Sequence, residues 1–213
     1  MKKDPNVNQL AERVKSLIGG LRNIDPTILA SHTGTMYTTN GDGKGKFEFS
    51  FWGKQVSLTY PDFNASYKES GESLPLPFWA MIAYYFVTSN GSPLAGKWVS
   101  FSELPDGRFY NQAFQGYTGR KISRAFLMSS QDFERAAQAI GGSRITFGDI
   151  AYKFKILPKV ELSVVCWIGD EDFPTSYQVL FDASIVHHLP TDACAVLGSM
   201  LTGKLIKAKG ESQ

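Results

Sequence analysis

Cysteine is scarce in this chain, with two residues, Cys166 and Cys194, among 213. Two thiols build no disulfide framework, no C-x-x-C pair occurs, and a four-cysteine cluster site is beyond what the chain supplies by itself. Both lie in apolar stretches, which reads as buried thiols. Charge of one sign is lacking as well: 22 basic residues meet 20 acidic ones, a net +2. Nucleic acid needs clustered positive charge, so none is expected as a partner. The one basic run, Lys204, Lys207 and Lys209, reads as the solvated end of a last helix. Long hydrophobic runs are missing. The longest, Leu74 to Val87, is broken by Pro75 and Pro77 and is too short to span a bilayer. No leader is read at the start, where Lys2 and Lys3 are followed by Asp4 and Pro5. A cytoplasmic protein with no membrane partner is the expectation. G-x-S-x-G and H-x-x-x-H are also missing, and Gly41-Asp42-Gly43-Lys44-Gly45 fits neither the dinucleotide nor the phosphate-loop spacing.

What is present is an ordinary globular composition, 43% apolar and 20% charged, with 13% aromatic residues on the high side. Leu10, Val14, Leu17, Ile18 and Leu21 share a face at helical spacing, and Asp25-Pro26 is an N-cap followed by proline at the first helical position, opening a short turn through Leu29. Thr38 to Gly45 is polar and glycine-rich and reads as a loop. Phe47, Phe49 and Phe51 alternate with polar residues, turn at Gly53-Lys54, and return as Val56, Leu58 and Tyr60. A helix starts at Pro77 with a broad apolar stripe and stops at Asn90-Gly91. Trp98 to Phe101 is β-like. Helices follow near Lys121 to Met128 and over Gln131 to Ile140, the second capped by Ser130. Then come strands at Tyr152 to Ile156, Leu162 to Ile168 and Tyr177 to Phe181. Thr191 caps a final helix carrying Leu197, Met200, Leu201 and Leu205. Runs of like elements give an α+β class: an antiparallel sheet with helices packed mainly on one face, in a single domain. The expected division is an N-terminal helical segment over 1–28, the α+β domain over 29–206 and a polar tail over 207–213.

Five sets of residues are candidates for chemistry. The turn Asp170-Glu171-Asp172 follows an apolar strand, and crowded carboxylates there would serve as acid and base or hold a hard cation; the plain alternative is a solvated connection. Asp182 ends another apolar strand, where it is either a base or a helix cap. His188, beside His187, is read as a pocket-facing axial ligand or proton carrier, against a packed core histidine; adjacent positions on a helix point about 100° apart and do not chelate one metal. Cys194 lies in the first helical turn, where the dipole lowers a thiol pKa, with His188 six residues earlier, against a small buried residue. The aromatic set Trp52, Trp79, Trp98, Phe109, Tyr110, Phe114 and Tyr117 is either a core or the wall of a ligand pocket. Trp98, Phe101, Tyr110, Phe114 and His188 are the expected cofactor-binding residues, with a ligand between the sheet and the segment Trp98 to Tyr117. No metal ligands are assigned, and the cofactor has no identity at this level.

Three longer motifs stand in a fixed order: Gly96-Lys97-Trp98-Val99-Ser100-Phe101-Ser102-Glu103-Leu104-Pro105-Asp106-Gly107-Arg108-Phe109-Tyr110, then Ala139-Ile140-Gly141-Gly142, then Trp167-Ile168-Gly169-Asp170-Glu171-Asp172-Phe173-Pro174. Leu180-Phe181-Asp182-Ala183-Ser184 and Leu189-Pro190 follow them. Their order and spacing resemble the uncharacterised prokaryotic family of domain of unknown function three-seven-eight-six, over roughly Leu29 to Leu205. The resemblance implies anaerobic bacteria and archaea as the setting, where some members are fused to a cysteine-rich iron–sulfur domain. This chain lacks that segment, so an iron–sulfur protein would act in trans. The function expected from this is a cofactor- or small-molecule-binding accessory protein of iron–sulfur or one-carbon metabolism. An enzyme using the carboxylates of residues 170–182 and a protein–protein adaptor are the alternatives.

Overall fold

A computed structural model describes residues 5–127 and 129–211. Lys2, Lys3 and Asp4, the Met128 end of the helix expected near Lys121 to Met128, and the last two residues of the tail lie outside the described residues. The α+β class holds, with antiparallel strands divided between two sheets. The chain forms two compact units, each assembled from separate stretches of sequence.

The first unit comprises residues 1–93, 156–159 and 187–190. Its elements are α1 (Pro5–Leu21), α2 (Pro26–Thr33), β1 (Met36–Thr39), β2 (Gly45–Phe51), β3 (Lys54–Tyr60), β4 (Ala65–Tyr67) and α3 (Leu76–Thr88). The strands pair in the order β1-β2-β3-β4. Alternation along β2 buries Phe47, Phe49 and Phe51, and Phe47 and Phe49 place their rings 5.1 and 5.8 Å from that of Phe86 on α3. Val14, Ile18 and Leu21 are the buried face of α1, which packs on α3. The β2–β3 turn is tight because Trp52 and Gly53 both adopt positive φ, 52° and 76°, matching the twist of the paired strands. The segment Thr38 to Gly45 is no plain loop. Thr38 and Thr39 pair with Lys46 and Gly45, so a hairpin crosses it. The Asp25 cap forms as expected, its carboxylate accepting the Thr27 N–H, and the helix it opens continues to Thr33. The end of α3 differs from a left-handed stop, since Ser89 is extended.

The second unit comprises residues 94–155, 160–186 and 191–213. It holds β5 (Trp98–Ser100), a 3-10 turn (Phe101–Glu103), α4 (Gly107–Tyr117), α5 (Gly119–Phe126), α6 (Ser130–Ala139), β6 (Ser143–Ile145), β7 (Ile150–Leu157), β8 (Val160–Trp167), β9 (Ser176–Asp182), a second 3-10 turn (Ala183–His187) and α7 (Thr191–Glu211). The sheet order is β5-β9-β8-β7-β6. Leu162 to Cys166 is buried throughout, as expected of a central strand. On β9, Tyr177 meets Phe126 and Phe133, and Phe181 meets Phe101 and Phe114, which sets the helices against one face of the sheet. Leu180 points the other way, into a small cluster with Ala151 and Val165 that Trp98 and Ile145 flank. The cap of α6 is Ser129 instead of Ser130; its hydroxyl accepts the Asp132 N–H. Residues 207–211 continue α7, so the polar tail is helical that far.

Candidate functional site

A cleft of about 590 Å³ opens within the second unit, lined by Phe101, Pro105, Asp106, Tyr110, Ala113, Tyr117, Thr191, Asp192 and Ala195. Three segments build it. Ser100 starts the 3-10 turn through a capping box, its N–H and hydroxyl bonded to Glu103, and this sets Phe101 at the head of the cleft floor. Asp106 follows at φ 57°, an αL position that aspartate tolerates, and redirects the chain into α4. Tyr110, Ala113 and Tyr117 then recur at helical spacing along one side of α4. The facing wall is the first turn of α7. The Thr191 hydroxyl donates to the Pro105 carbonyl at 2.8 Å, which fixes the two walls to each other.

The floor is rigid and the rim is wet. Phe101 is 1% exposed and stacks on Phe114 at 4.2 Å and 12°, so Phe114 supports the cleft from behind without lining it. Tyr110 is 67% exposed, and burial pushes the Tyr117 hydroxyl above its ordinary pKa. Asp106 and Asp192 supply two carboxylates, and no lysine, arginine or histidine is found among the described lining residues. The positive end of α7 is already met by Asp192, whose carboxylate accepts the Ala193 N–H at 2.8 Å. The lining therefore suits a ligand with an apolar, flat body and a positive end.

Of the expected cofactor-binding residues, Phe101 and Tyr110 line the cleft, and Phe114 backs it. Trp98 does not reach it; its ring belongs to the cluster on the opposite sheet face. The ligand space also lies against the start of α7 and not between the sheet and the segment Trp98 to Tyr117. His188 belongs to the first unit, where it is fully buried with both ring nitrogens engaged. Nε2 lies 3.0 Å from the Ser92 carbonyl, which only accepts, so the proton sits on Nε2. Nδ1 then accepts the Ser89 hydroxyl at 3.2 Å. This is a packed core histidine. Trp52 and Trp79 also belong to the first unit, and Trp79 donates to the Phe63 carbonyl.

The carboxylate candidates have structural work. Asp182 is 2% exposed and accepts the N–H groups of Ala95, Gly96 and Ser184 and the Ser184 hydroxyl, at 2.6–2.9 Å. Burial alone would raise its pKa, but these bonds outweigh it and hold the carboxyl below the usual range. Asp170 accepts the N–H groups of Asp172 and Phe173 within its own exposed turn, which likewise lowers its pKa. Glu171 is exposed. Among the described residues no three His, Cys, Asp or Glu side chains converge to hold a metal ion. Burial pushes the Cys194 thiol far up, aided by the charge of Asp192, the reverse of a nucleophile activated by the helix dipole. Burial also raises Cys166.

Sequence reasoning missed Asp106, Thr191, Asp192 and Ala195 as cleft residues. In sequence Thr191 reads as a helix cap, and no local pattern pairs it with Pro105, 86 positions away. No helix among the described residues is long and apolar enough to cross a membrane. A family model described as Domain of unknown function (DUF3786) matches residues 25–204. No curated protein and no solved structure matches the chain.

Proposed function

Because the chain belongs to the family described as Domain of unknown function (DUF3786), whose description carries no activity, we propose from the site itself that the protein binds a small molecule with a flat apolar body and a cationic or amino end. The observation that carries this is the cleft of about 590 Å³, which joins aromatic walls to two carboxylates and Thr191. That volume is within the range of ordinary ligand pockets, roughly 300–1,000 Å³. Tyrosine faces attract cations, and an ammonium group held between a ring and a carboxylate is bound by both. Asp182 lies outside the cleft and is occupied as an acceptor, so the reading rests on Asp106 and Asp192 as the groups that hold the cationic end.

The test is a matched set of probes: 2-naphthylmethylamine, 2-naphthylmethanol and 2-naphthoate, titrated into the whole chain by calorimetry. The amine binds best, the alcohol weakly and the acid worst. Asp106→Asn with Asp192→Asn removes the preference for the amine, and Tyr110→Ala with Tyr117→Ala weakens all three. If no probe binds and denaturing the purified protein releases no small molecule, the reading fails. A cytoplasmic location is part of the reading, supported by the lack of a long apolar helix among the described residues; the setting beside iron–sulfur or one-carbon enzymes of anaerobes, with an iron–sulfur protein as partner in trans, rests on the resemblance alone. Anaerobic co-purification followed by iron and sulfide analysis is its test.

A further inference from the structure

We propose that the loop end of the second unit's sheet, built from residues 146–149 and 168–175 with Trp167, is a docking surface for a basic, apolar-faced segment of another protein. It uses none of the cleft residues. Trp167 ends β8 half out of the fold at 44% exposed, its ring 6.3 Å from that of Phe147, itself 39% exposed. Ile168 and Phe173 are 56% and 73% exposed. Four large apolar side chains in one neighbourhood are left to water, whereas single exposed residues are the norm.

The loops that present them are firmly held. Ile168 donates its N–H to Asp149 at 2.8 Å, Gly169 donates to the Thr175 hydroxyl at 3.0 Å, and Asp170 donates to the Phe173 carbonyl at 2.9 Å. Gly148 adopts φ +59°, and its Cα hydrogens face the Val165 side chain and the Trp167 ring, where a Cβ would collide with Val165. A surface ordered before contact loses little entropy on contact.

Charge decides the occupant. Asp149, Asp170, Glu171 and Asp172 stand among the apolar groups, and no lysine, arginine or histidine occurs in 145–150 or 167–176. Nucleic acid and anionic lipid would be repelled by this field. A second copy joined face to face would set these acids against themselves, because a two-fold contact pairs each patch with its own image. A basic segment with an apolar face complements both features, the acids steering it and the rings burying it.

The probe is an amidated lysine–leucine peptide titrated into the isotope-labelled whole chain, with a glutamate–leucine peptide of equal length as control. Shifts are expected at the Trp167 indole N–H and within 146–149 and 167–175, falling away as salt rises. Glu171→Gln with Asp172→Asn changes exposed side chains that hold no turn together, and weakens binding roughly five- to thirtyfold. Trp167→Ala abolishes it. Equal binding of the acidic peptide, shifts centred elsewhere, or unchanged affinity in the Glu171/Asp172 variant would overturn the proposal. So would concentration-dependent dimerisation, or transfer to zwitterionic vesicles, that Trp167→Ala removes, since the occupant would then be a second copy or a lipid surface.

Discussion

At the residue scale, the polar groups that looked most like chemistry are those that hold the chain together. A carboxylate at a strand end can serve a site or a turn, and only its partners decide. Asp182 accepts from Ala95 and Gly96 as well as from Ser184, so it ties the approach to β5 to the end of β9. The Ser184 half was legible as a local cap; the Ala95 and Gly96 half, more than 80 positions away, was not. Its Oδ1 takes three of the four bonds, so Asp182→Asn keeps most of them and costs about 1 kcal/mol, whereas Asp182→Ala costs about 3 kcal/mol. Urea unfolding at neutral pH measures both. The pH dependence has a definite sign. The folded pKa is depressed, so the stabilisation is present above the unfolded carboxylate value, about 3.9, and disappears as pH falls through the lower folded value. Stability of Asp182→Asn will therefore fall less steeply than wild type below about pH 4. Parallel acid limbs in the two proteins would remove Asp182 from that role.

At the element scale, periodicity revealed what lies on one face and said nothing about how closely two elements approach. The alternation of Phe47, Phe49 and Phe51 and the stripe Phe133, Ala136, Ala137 and Ile140 are plain from spacing, and all are buried except Ile140, which is half-buried just past the end of α6. The hairpin through residues 38–45 was hidden because Thr38 and Thr39 sit beside a glycine-rich turn, and pairing outweighs that composition. Close approach is written in glycines instead. At Gly119, the start of α5, an added Cβ would overlap the Tyr177 carbonyl oxygen of β9, a backbone atom that cannot swing aside. Gly116, three residues earlier in α4, has nothing within 4 Å. Gly119→Ala should then destabilise by about 1–3 kcal/mol through overpacking. Gly116→Ala should stabilise by about 0.5–1 kcal/mol, since helical glycine carries excess unfolded-state entropy. Thermal melts of the two variants should move in opposite directions. A shared direction would mean that α5 does not rest on β9 as closely as described.

At the scale of the whole molecule, the decisive property is that neither unit is a continuous piece of chain, and here a linear reading had least to work with. No composition shift marks 156–159 or 187–190, yet both short stretches complete the first unit. They do so by satisfying its buried polar groups. The Trp52 N–H donates to the Ile156 carbonyl at 3.0 Å. Tyr85, fully buried, donates its hydroxyl to the Thr33 carbonyl and receives the Lys159 N–H at 3.1 Å. Ser89 meets His188, and Lys159 reaches the Gly91 carbonyl. The same long-range closure makes the cleft, where Pro105 and Thr191 meet. Its aromatic half is visible in the sequence as Phe101, Tyr110 and Tyr117, with Phe114 behind them. Its acidic half is not, because Asp106 reads as a turn and Asp192 as a helix start. It follows that a chain cut after Pro93 carries every strand of the first sheet and still loses the Lys159 N–H that reaches Tyr85, the His188 ring that meets Ser89 and the Ile156 carbonyl that takes the Trp52 N–H. Each hydrogen bond so lost costs about 0.5–1.5 kcal/mol, and the losses together are a sizeable share of the roughly 5–15 kcal/mol by which a domain is stable. The fragment 1–93 is expected to show β and helical signal in the far-ultraviolet but poorly dispersed amide resonances and no sharp thermal transition. A fragment with native dispersion and a cooperative melt would show that the returning stretches decorate the first unit and do not complete it.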